Sequence, residues 1–272
     1  MAIISLITDF GTQDEYVGLM KAVILGIDPA AVFVDISHSI DPQDAAQAAF
    51  MLESSYRYFP AGSVHVVVVD PGVGTDRAIL YLESDRQRFL APDNGVLSFV
   101  LAPDRDPRCR RLDAAAFART GVSPTFHGRD LIAPAAGRLS KGLNPGQLGP
   151  EMDARSAIRL DGLKAVRAAD GSLRGRVVHM DRFGNLVTNI DAAAWQRSAT
   201  RAGRSPWVEI NGRRITCTGR TYADAAAGQP LALIGSRGYL EIAVNAGSAQ
   251  SLTNARKGDI VRVWEQADGD GF

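Results

Sequence analysis

The sequence predicts an α/β protein in two parts. An N-terminal α/β domain with a mainly parallel central sheet is expected over residues 1–160, and a smaller C-terminal antiparallel β-barrel over residues 161–272. Three observations carry this. Val66–Val69 is an unbroken run of β-branched residues, as in a strand covered on both faces, and it stops at Asp70-Pro71-Gly72. Through the first half, apolar runs of this kind alternate with segments of helical spacing, which suits a sheet with crossover helices. Beyond Gly142–Leu173, rich in Pro and Gly, the pattern becomes short strands and turns, including the two-residue hairpin signal Asn211-Gly212.

In chain order, Ala2–Thr8 reads as a buried first strand that ends at Asp9. Thr12 and Glu15 make a capping-box signature, and Tyr16, Leu19, Met20, Val23, Ile24 and Ile27 then keep helical spacing up to Asp28-Pro29. Val32–Ile36 is a second short strand. Asp41-Pro42 reads as a cap followed by proline at the first helical position, with a helix through Ala45–Tyr56. After the Val66–Val69 strand, Ala78–Ser84 and Arg88–Ala91 read as strands joined by a polar turn. Pro92-Asp93-Asn94-Gly95 is a turn signal ahead of the apolar segment Val96–Leu101, and Pro103–Arg111 reads as irregular, charged surface. Leu131–Leu139 reads as a helix. Pro134 is tolerable only in its first turn, so the helix should begin close to Asp130, with His127 just ahead of its N-terminus. In the second half the expected strands are Arg176–Met180, Asn185–Ile190, Trp207–Ile210, Arg213–Cys217, Leu231–Ile234, Tyr239–Val244 and Asp259–Trp264. A small barrel or sandwich closes such a set.

The bulk numbers narrow the function. A chain of 272 residues, 46% hydrophobic and 22% charged, has the composition of a soluble protein with a substantial core. Thirty basic residues balance thirty acidic ones, so no global field draws nucleic acid or an anionic membrane. Cys109 and Cys217 share no metal or redox spacing and read as reduced spectators. The opening MAIISLITDF has no basic leader, and no apolar run reaches membrane-spanning length. The expectation is a cytoplasmic protein with no nucleic-acid or membrane partner.

Asp9 and Asp70 each follow a strand, and the carboxyl ends of strands are where open α/β sheets bind ligands. Each carboxylate has a plainer reading. Asp9 either caps a helix or accepts two hydrogen bonds from a ribose diol. Asp70 and Arg77 either form an ordinary ion pair on a turn or belong to a reactive site. A lone histidine such as His127 is more often packed structure than chemistry. His38, His65, His127 and His179 show no ligand spacing, so no metal is expected, and a metal-dependent phosphoesterase built on Asp9, Asp70 and His127 is disfavoured.

Several stretches taken together resemble one family: ITDFGTQD at Ile7–Asp14, VDPGVGTDR at Val69–Arg77, FHGRD at Phe126–Asp130, DRFGNLVTNI at Asp181–Ile190 and GSRGYLEIAVNAGSA at Gly235–Ala249. They look like the S-adenosyl-L-methionine (SAM) hydroxide adenosyltransferases, relatives of the bacterial fluorinase and chlorinase, and the resemblance runs from Ile4 to about Val263. It implies hydrolysis of S-adenosyl-L-methionine to adenosine and L-methionine, by attack of water or hydroxide at ribose C5′. It also implies an α/β domain plus a β-barrel, a homotrimer with active sites between subunits, no metal, and no cofactor, since S-adenosyl-L-methionine is the substrate. By the same resemblance Asp70, Arg77 and His127 form a catalytic triad, and Asp9 holds the ribose diol. Phe183 packs beside the nucleoside, while Asn185 and Ala246 contact the adenine edge. Asp181, Ser236 and Arg237 hold the methionine ammonium and carboxylate.

The chain departs from the halogenating relatives: the fluorinase carries a tyrosine and a threonine where it has Asp70 and Val73. The fluorinase also carries a serine at Gly128 and a tryptophan at Gln43. A carboxylate beside a halide would repel it in a site shielded from water. Water is therefore the expected nucleophile. Halide-dependent adenosyl transfer and a non-catalytic nucleoside-binding module are the competing readings, and the intact triad argues against the second.

Overall fold

The computed structural model describes residues 3–101, 107–118, 121–202 and 206–265. The chain divides into two compact units, Met1–Asp161 and Gly162–Phe272.

The first unit holds a seven-stranded sheet made of β1 (Ile3–Thr8), β2 (Val32–Ser37), β3 (Val64–Val68), β4 (Ile79–Ser84), β5 (Gln87–Pro92), β6 (Arg108–Arg111) and β7 (Glu151–Met152), in the order β2-β1-β3-β5-β4-β6-β7. The pairings from β2 to β5 are parallel and those from β5 to β7 antiparallel, so the sheet is mixed. Its helices are α1 (Tyr16–Ile27), α2 (Ala45–Glu53), α3 (Ala114–Phe117) and α4 (Ala133–Ser140). Strand β3 is buried at every residue, as its unbroken apolar run predicts. Alternate side chains serve opposite faces. Ile4, Leu6, Val64, Val66 and Val68 pack with Met20 and Ile24 of α1 and with Ala136 and Leu139 of α4. Ile7, Val67 and Val69 pack with Ala48, Ala49 and Leu52 of α2. The chain thus steps from β1 to β2 under one face and returns to β3 over the other. The strand order reverses between β1 and β3, the point at whose carboxyl ends open α/β sheets bind ligands.

Several local expectations shift. The Thr12–Glu15 capping box does not form. Glu15 is itself the cap residue of α1, without a side-chain cap bond, because the preceding loop is held elsewhere by Gly11 N–H donating to His38 O at 2.7 Å. The second helix is capped by Asp44, whose side chain accepts from Gln47 N, rather than by Asp41, and it stops at Glu53 before a short 3₁₀ turn at Tyr56–Tyr58. Arg108–Arg111, expected as irregular surface, is a strand paired with β4 and β7, while 103–106 lie outside the described residues. Pro134 sits in the first turn of α4, and a five-residue π-turn over Gly128–Ile132 precedes it. That wider turn leaves room for a ring that would crowd a tighter helix.

The second unit holds an eight-stranded sheet of β8 (Val166–Arg167), β9 (Leu173–Met180), β10 (Leu186–Asp191), β11 (Trp207–Ile210), β12 (Arg213–Ile215), β13 (Pro230–Ile234), β14 (Tyr239–Val244) and β15 (Ile260–Trp264). Its order is β12-β11-β15-β9-β10-β14-β13, with β8 beside β9, and the strand pairings are antiparallel. The segment after β12 turns back onto β13: Ala232 N–H donates to Cys217 O at 2.9 Å and Gly219 N–H to Ala232 O at 3.0 Å. The two ends of the sheet thereby meet, and the barrel is nearly closed around Leu186, Ile190, Val208, Leu240, Ile242 and Val261. Asn211 and Gly212 both take positive φ, 49° and 72°, as a tight hairpin requires. The helices α5 (Ala192–Ala202) and α6 (Ala249–Thr253) were not expected from the strand pattern.

Candidate active site

The loop after β3 folds on itself before re-entering the sheet. Asp70 Oδ1 accepts from Gly72 N–H at 3.2 Å, Val73 N–H donates to Asp70 O at 3.3 Å, and the Thr75 hydroxyl donates to Gly72 O at 2.7 Å. Gly74 is required here. It has φ +81°, and a Cβ on it would lie 2.5 Å from the Pro124 carbonyl oxygen. That close approach ties the loop to the segment leading into His127. Asn94, from the predicted Pro-Asp-Asn-Gly turn, donates to Val69 O at 2.7 Å and fixes the strand exit from the other side.

This loop makes Asp70 and Arg77 partners. Arg77 Nη2 donates to Asp70 Oδ2, Nη1 donates to Ala78 O at 2.8 Å, and the side chains are only 5% (Asp70) and 8% (Arg77) exposed. Such burial removes the pair from the weak surface class. His127 lies against the same guanidinium, Nδ1 being 3.5 Å from Nη2. Arg77 only donates, so Nδ1 must be the unprotonated nitrogen and Nε2 carries the hydrogen. The three residues that the family resemblance groups as a triad are therefore neighbours, gathered from the β3 exit and the start of the helical run before α4.

Their electrostatics favour particular protonation states. Burial pushes the Asp70 carboxyl up, and the attraction of Arg77 only partly offsets it. Burial, and then the charge on Arg77, pull His127 down against Asp70 and Asp130, which favours a neutral ring. Aromatic packing holds the preceding residue, Phe126, in place. Phe126 sits edge-on to Phe10 and Tyr16 at 5.7 and 5.2 Å between centroids, and Arg129 lies over the Phe126 ring at 5.0 Å.

Asp9 is at the carboxyl end of β1, one residue past Thr8, which pairs with Val68 of β3. Its Oδ2 accepts from Gln43 N–H at 2.8 Å, so it neither caps α1 nor joins the ion pair of Asp70. A cavity of about 720 Å³ lined by Tyr81, Arg110 and Arg159 contains none of these residues. Among the described residues, no group of three His, Cys, Asp or Glu side chains is placed to hold a metal ion, and no helix is long and apolar enough to cross a membrane.

The other resemblance-implied residues lie in the second unit, on turns. Asp181 organises the β9–β10 turn: Oδ1 accepts from Phe183 N–H and Asn185 N–H, both at 2.9 Å, and Oδ2 accepts from Asn185 Nδ2 at 2.9 Å. Asn185 is buried, whereas Phe183 is 76% exposed. The turn docks on the one after β14 through Gln250 N–H donating to Gly184 O at 2.9 Å, which brings Ala246, at φ 54°, into its neighbourhood. Ser236 and Arg237 occupy the β13–β14 turn at the other end of β14. Sequence reasoning missed the group between them. Glu241 is buried in β14, accepts from Tyr222 Oη at 2.7 Å, and feels the charges of both Asp181 and Arg237, with burial raising its pKa. The signal was a lone acid inside the apolar strand Tyr239–Val244.

Residues 4–149 match the SAM hydroxide adenosyltransferase N-terminal domain, and residues 175–262 match the C-terminal domain of the same name. The chain is 38% identical to an (R)-S-adenosyl-L-methionine hydrolase of Thermus thermophilus, over 94% of this chain and 97% of that one. It is 33% identical to one of Methanocaldococcus jannaschii over 96% and 95%. A fluorinase of an Actinoplanes species is 26% identical over 96% and 97%. A crystal structure of an uncharacterized conserved protein from Thermotoga maritima superposes with a TM-score of 0.87 at 33% identity, covering 96% of this chain and 99% of that one.

Proposed function

As the chain belongs to the SAM hydroxide adenosyltransferase family, we propose that it is an enzyme that hydrolyses S-adenosyl-L-methionine to adenosine and L-methionine. The observation that carries this reading to its chemistry is the buried Asp70–Arg77 pair with His127 on the same guanidinium.

The reaction places demands that this group can meet. Methionine leaves the sulfonium as a neutral thioether, so no general acid is required. Water must be held in line behind C5′, and positioning supplies about 7–11 kcal/mol in well-oriented cases. General-base help adds a factor of about 10²–10⁴. Asp70 is the base: its carboxylate is anchored through Oδ2, retains acceptor capacity on Oδ1, and is made more basic by burial. His127, with its basic nitrogen turned to Arg77, offers an Nε2–H that orients water or the forming hydroxide. Arg77 keeps both in place. The water's O–H bond breaks toward Asp70 as its oxygen bonds C5′, and the C5′–S electron pair departs with methionine.

Halide transfer is disfavoured on two counts. Asp70 would repel the anion. A Cβ on Gly128 would lie 3.2 Å from Val68 Cγ1 and 3.3 Å from Met20 Sδ, so a serine there would need these neighbours to give by a few tenths of an ångström. The remaining assignments belong to the same proposal: Asp9 holds the ribose diol, Phe183, Asn185 and Ala246 take the nucleoside, and Asp181, Ser236 and Arg237 take the amino-acid end. The enzyme works as a homotrimer whose sites form between copies, in the cytoplasm, where its free cysteines Cys109 and Cys217 suit a reducing environment. Incubation with S-adenosyl-L-methionine in ¹⁸O water is the test. Label is expected in the 5′-hydroxyl of adenosine; unlabelled adenosine, or no adenosine without added halide, would overturn the assignment.

A further inference from the structure

A directional chain of side chains runs from the surface to the turn that carries Asp9. Lys21 Nζ donates to Asp35 Oδ2 at 2.6 Å, and His38 Nε2 lies 3.1 Å from Asp35 Oδ1. The approach of that N–H is off-axis, and no other described group reaches Nε2 in hydrogen-bonding geometry. On the far side of the ring, Nδ1 is 2.9 Å from the buried hydroxyl of Thr8. Asp35, whose pKa is lowered by Lys21 and His38 against the upward push of burial, is ionised and accepts only. The His38 hydrogen therefore sits on Nε2, Nδ1 is an acceptor, and the Thr8 hydroxyl must donate to it. Thr8 Oγ1 then keeps a lone pair for Phe10 N–H, 3.3 Å away.

The same segment holds the turn by its backbone. Gly11 N–H donates to His38 O at 2.7 Å, Ile40 N–H to Thr8 O at 3.4 Å, and Gln43 N–H to Asp9 Oδ2 at 2.8 Å. Gln43 makes its bond from a φ of 66°, a conformation that residues other than glycine rarely adopt. Asp9 is thus bracketed: its strand neighbour Thr8 and its turn neighbour Gly11 are tied to His38, Phe10 is tied to the Thr8 hydroxyl, and its own carboxylate is tied to Gln43, five residues beyond His38.

We propose that His38 is a positioning residue for Asp9: oriented by Asp35, it fixes the turn after β1 so that the Asp9 carboxylate meets the two ribose hydroxyls. The inference rests on the reading of Asp9 as the ribose-diol carboxylate. His38 does not touch substrate. Its effect is confined to how well one carboxylate is aimed.

Binding of adenosine and of 2′-deoxyadenosine, compared by calorimetry on wild type, His38→Ala and His38→Asn, tests this. Wild type is expected to prefer adenosine by about tenfold or more, the worth of a hydrogen bond to a charged group. His38→Ala should lose most of that preference by weakening adenosine and leaving 2′-deoxyadenosine nearly as it was. His38→Asn, whose amide oxygen can take the place of Nδ1 and accept from Thr8, should recover part of it. A purely structural role would weaken both nucleosides together and keep their ratio, and that result would overturn the proposal. So would a His38→Ala protein with the wild-type ratio. If wild type itself fails to discriminate, the fault lies with the ribose reading of Asp9, and the proposal falls with it.

Discussion

The two units carry their polar site residues in opposite ways. In the first, at the β3 exit, a carboxylate and a guanidinium are sealed against each other with exposures of 5% and 8%, and burial moves the acid up and the adjacent histidine down. In the second, Asp181 accepts three hydrogen bonds from its own turn, Phe183 stands exposed, and Ser236 and Arg237 ride the β13–β14 turn. Burial with an imperfectly balanced charge prepares groups for proton transfer. Polar groups on well-braced turns prepare a surface for recognition. The difference teaches that the β3 exit should govern rate and the turns of the second unit affinity for the amino-acid end.

The largest effect expected is from Asp70→Asn, which keeps the shape of the side chain and removes the proposed base. The rate at saturating S-adenosyl-L-methionine should fall by about 10²–10⁴, with nucleoside affinity nearly unchanged. The direction with pH follows from the raised pKa. Asp70 must be ionised to act, so activity in the wild type should decline on acidification from a point above the ordinary carboxylate range of about 4. His127→Asn should slow the reaction less and leave that acid limb where it is, because its basic nitrogen faces Arg77. A pH–rate profile whose acid limb vanishes in His127→Asn would make the histidine the base.

Arg237→Ala should act on the other side of the comparison. Losing a charge-assisted fork for the substrate carboxylate weakens binding by about tenfold to a hundredfold. Single-turnover rates at saturation should stay within about twofold, since positioning at C5′ is set in the other unit. A variant that binds normally and reacts slowly would erase the division between rate and affinity.

How much of this was legible beforehand follows the range of each interaction. Strand β3 and its exit were readable because an apolar run and its abrupt Asp-Pro-Gly stop are local signals. The Asn211-Gly212 hairpin was readable for the same reason. The grouping of Asp70, Arg77 and His127 came from motif resemblance; no spacing in the text brings residues 70 and 127 together. Arg108–Arg111 was misread because its strand character comes from β4 and β7, its partners, and not from its own basic residues. The Thr12–Glu15 box failed because a distant carbonyl, that of His38, claims the intervening loop. Helix α5 was missed although Asp191 caps it, accepting from Ala194 N–H at 2.7 Å, because the surrounding short strands set the expectation. The pairs Thr8–His38 and Tyr222–Glu241 join residues far apart in the chain, where periodicity carries no information.

His65 supplies the control on the first region. It lies within β3, fully buried against Phe89, Tyr56 and Phe59, with Nδ1 2.7 Å from the Ser5 hydroxyl, and burial lowers its pKa to about 4. The cause is the one that lowers His127, but His65 is sealed inside the sheet away from the Asp70–Arg77 pair, so the consequence should be stability alone. The folded form resists protonation while the unfolded chain takes a proton near pH 6.5. The unfolded state therefore binds more protons between those values. Stability from this group is complete above about pH 6.5 and is lost as pH falls from there toward about 4. Urea unfolding of the wild type should show about 2 kcal/mol lost from this group alone on going from about pH 7.5 to about pH 5. His65→Phe removes that titration while keeping the ring stack on Phe89. It also strands the Ser5 hydroxyl, at a constant cost of about 1–3 kcal/mol. Its stability should therefore be offset at both pH values and fall by about 2 kcal/mol less than the wild type between them. Turnover should be unchanged, and a large loss of turnover in His65→Phe would mean that the core of the sheet and its carboxyl end are not the separate regions described above.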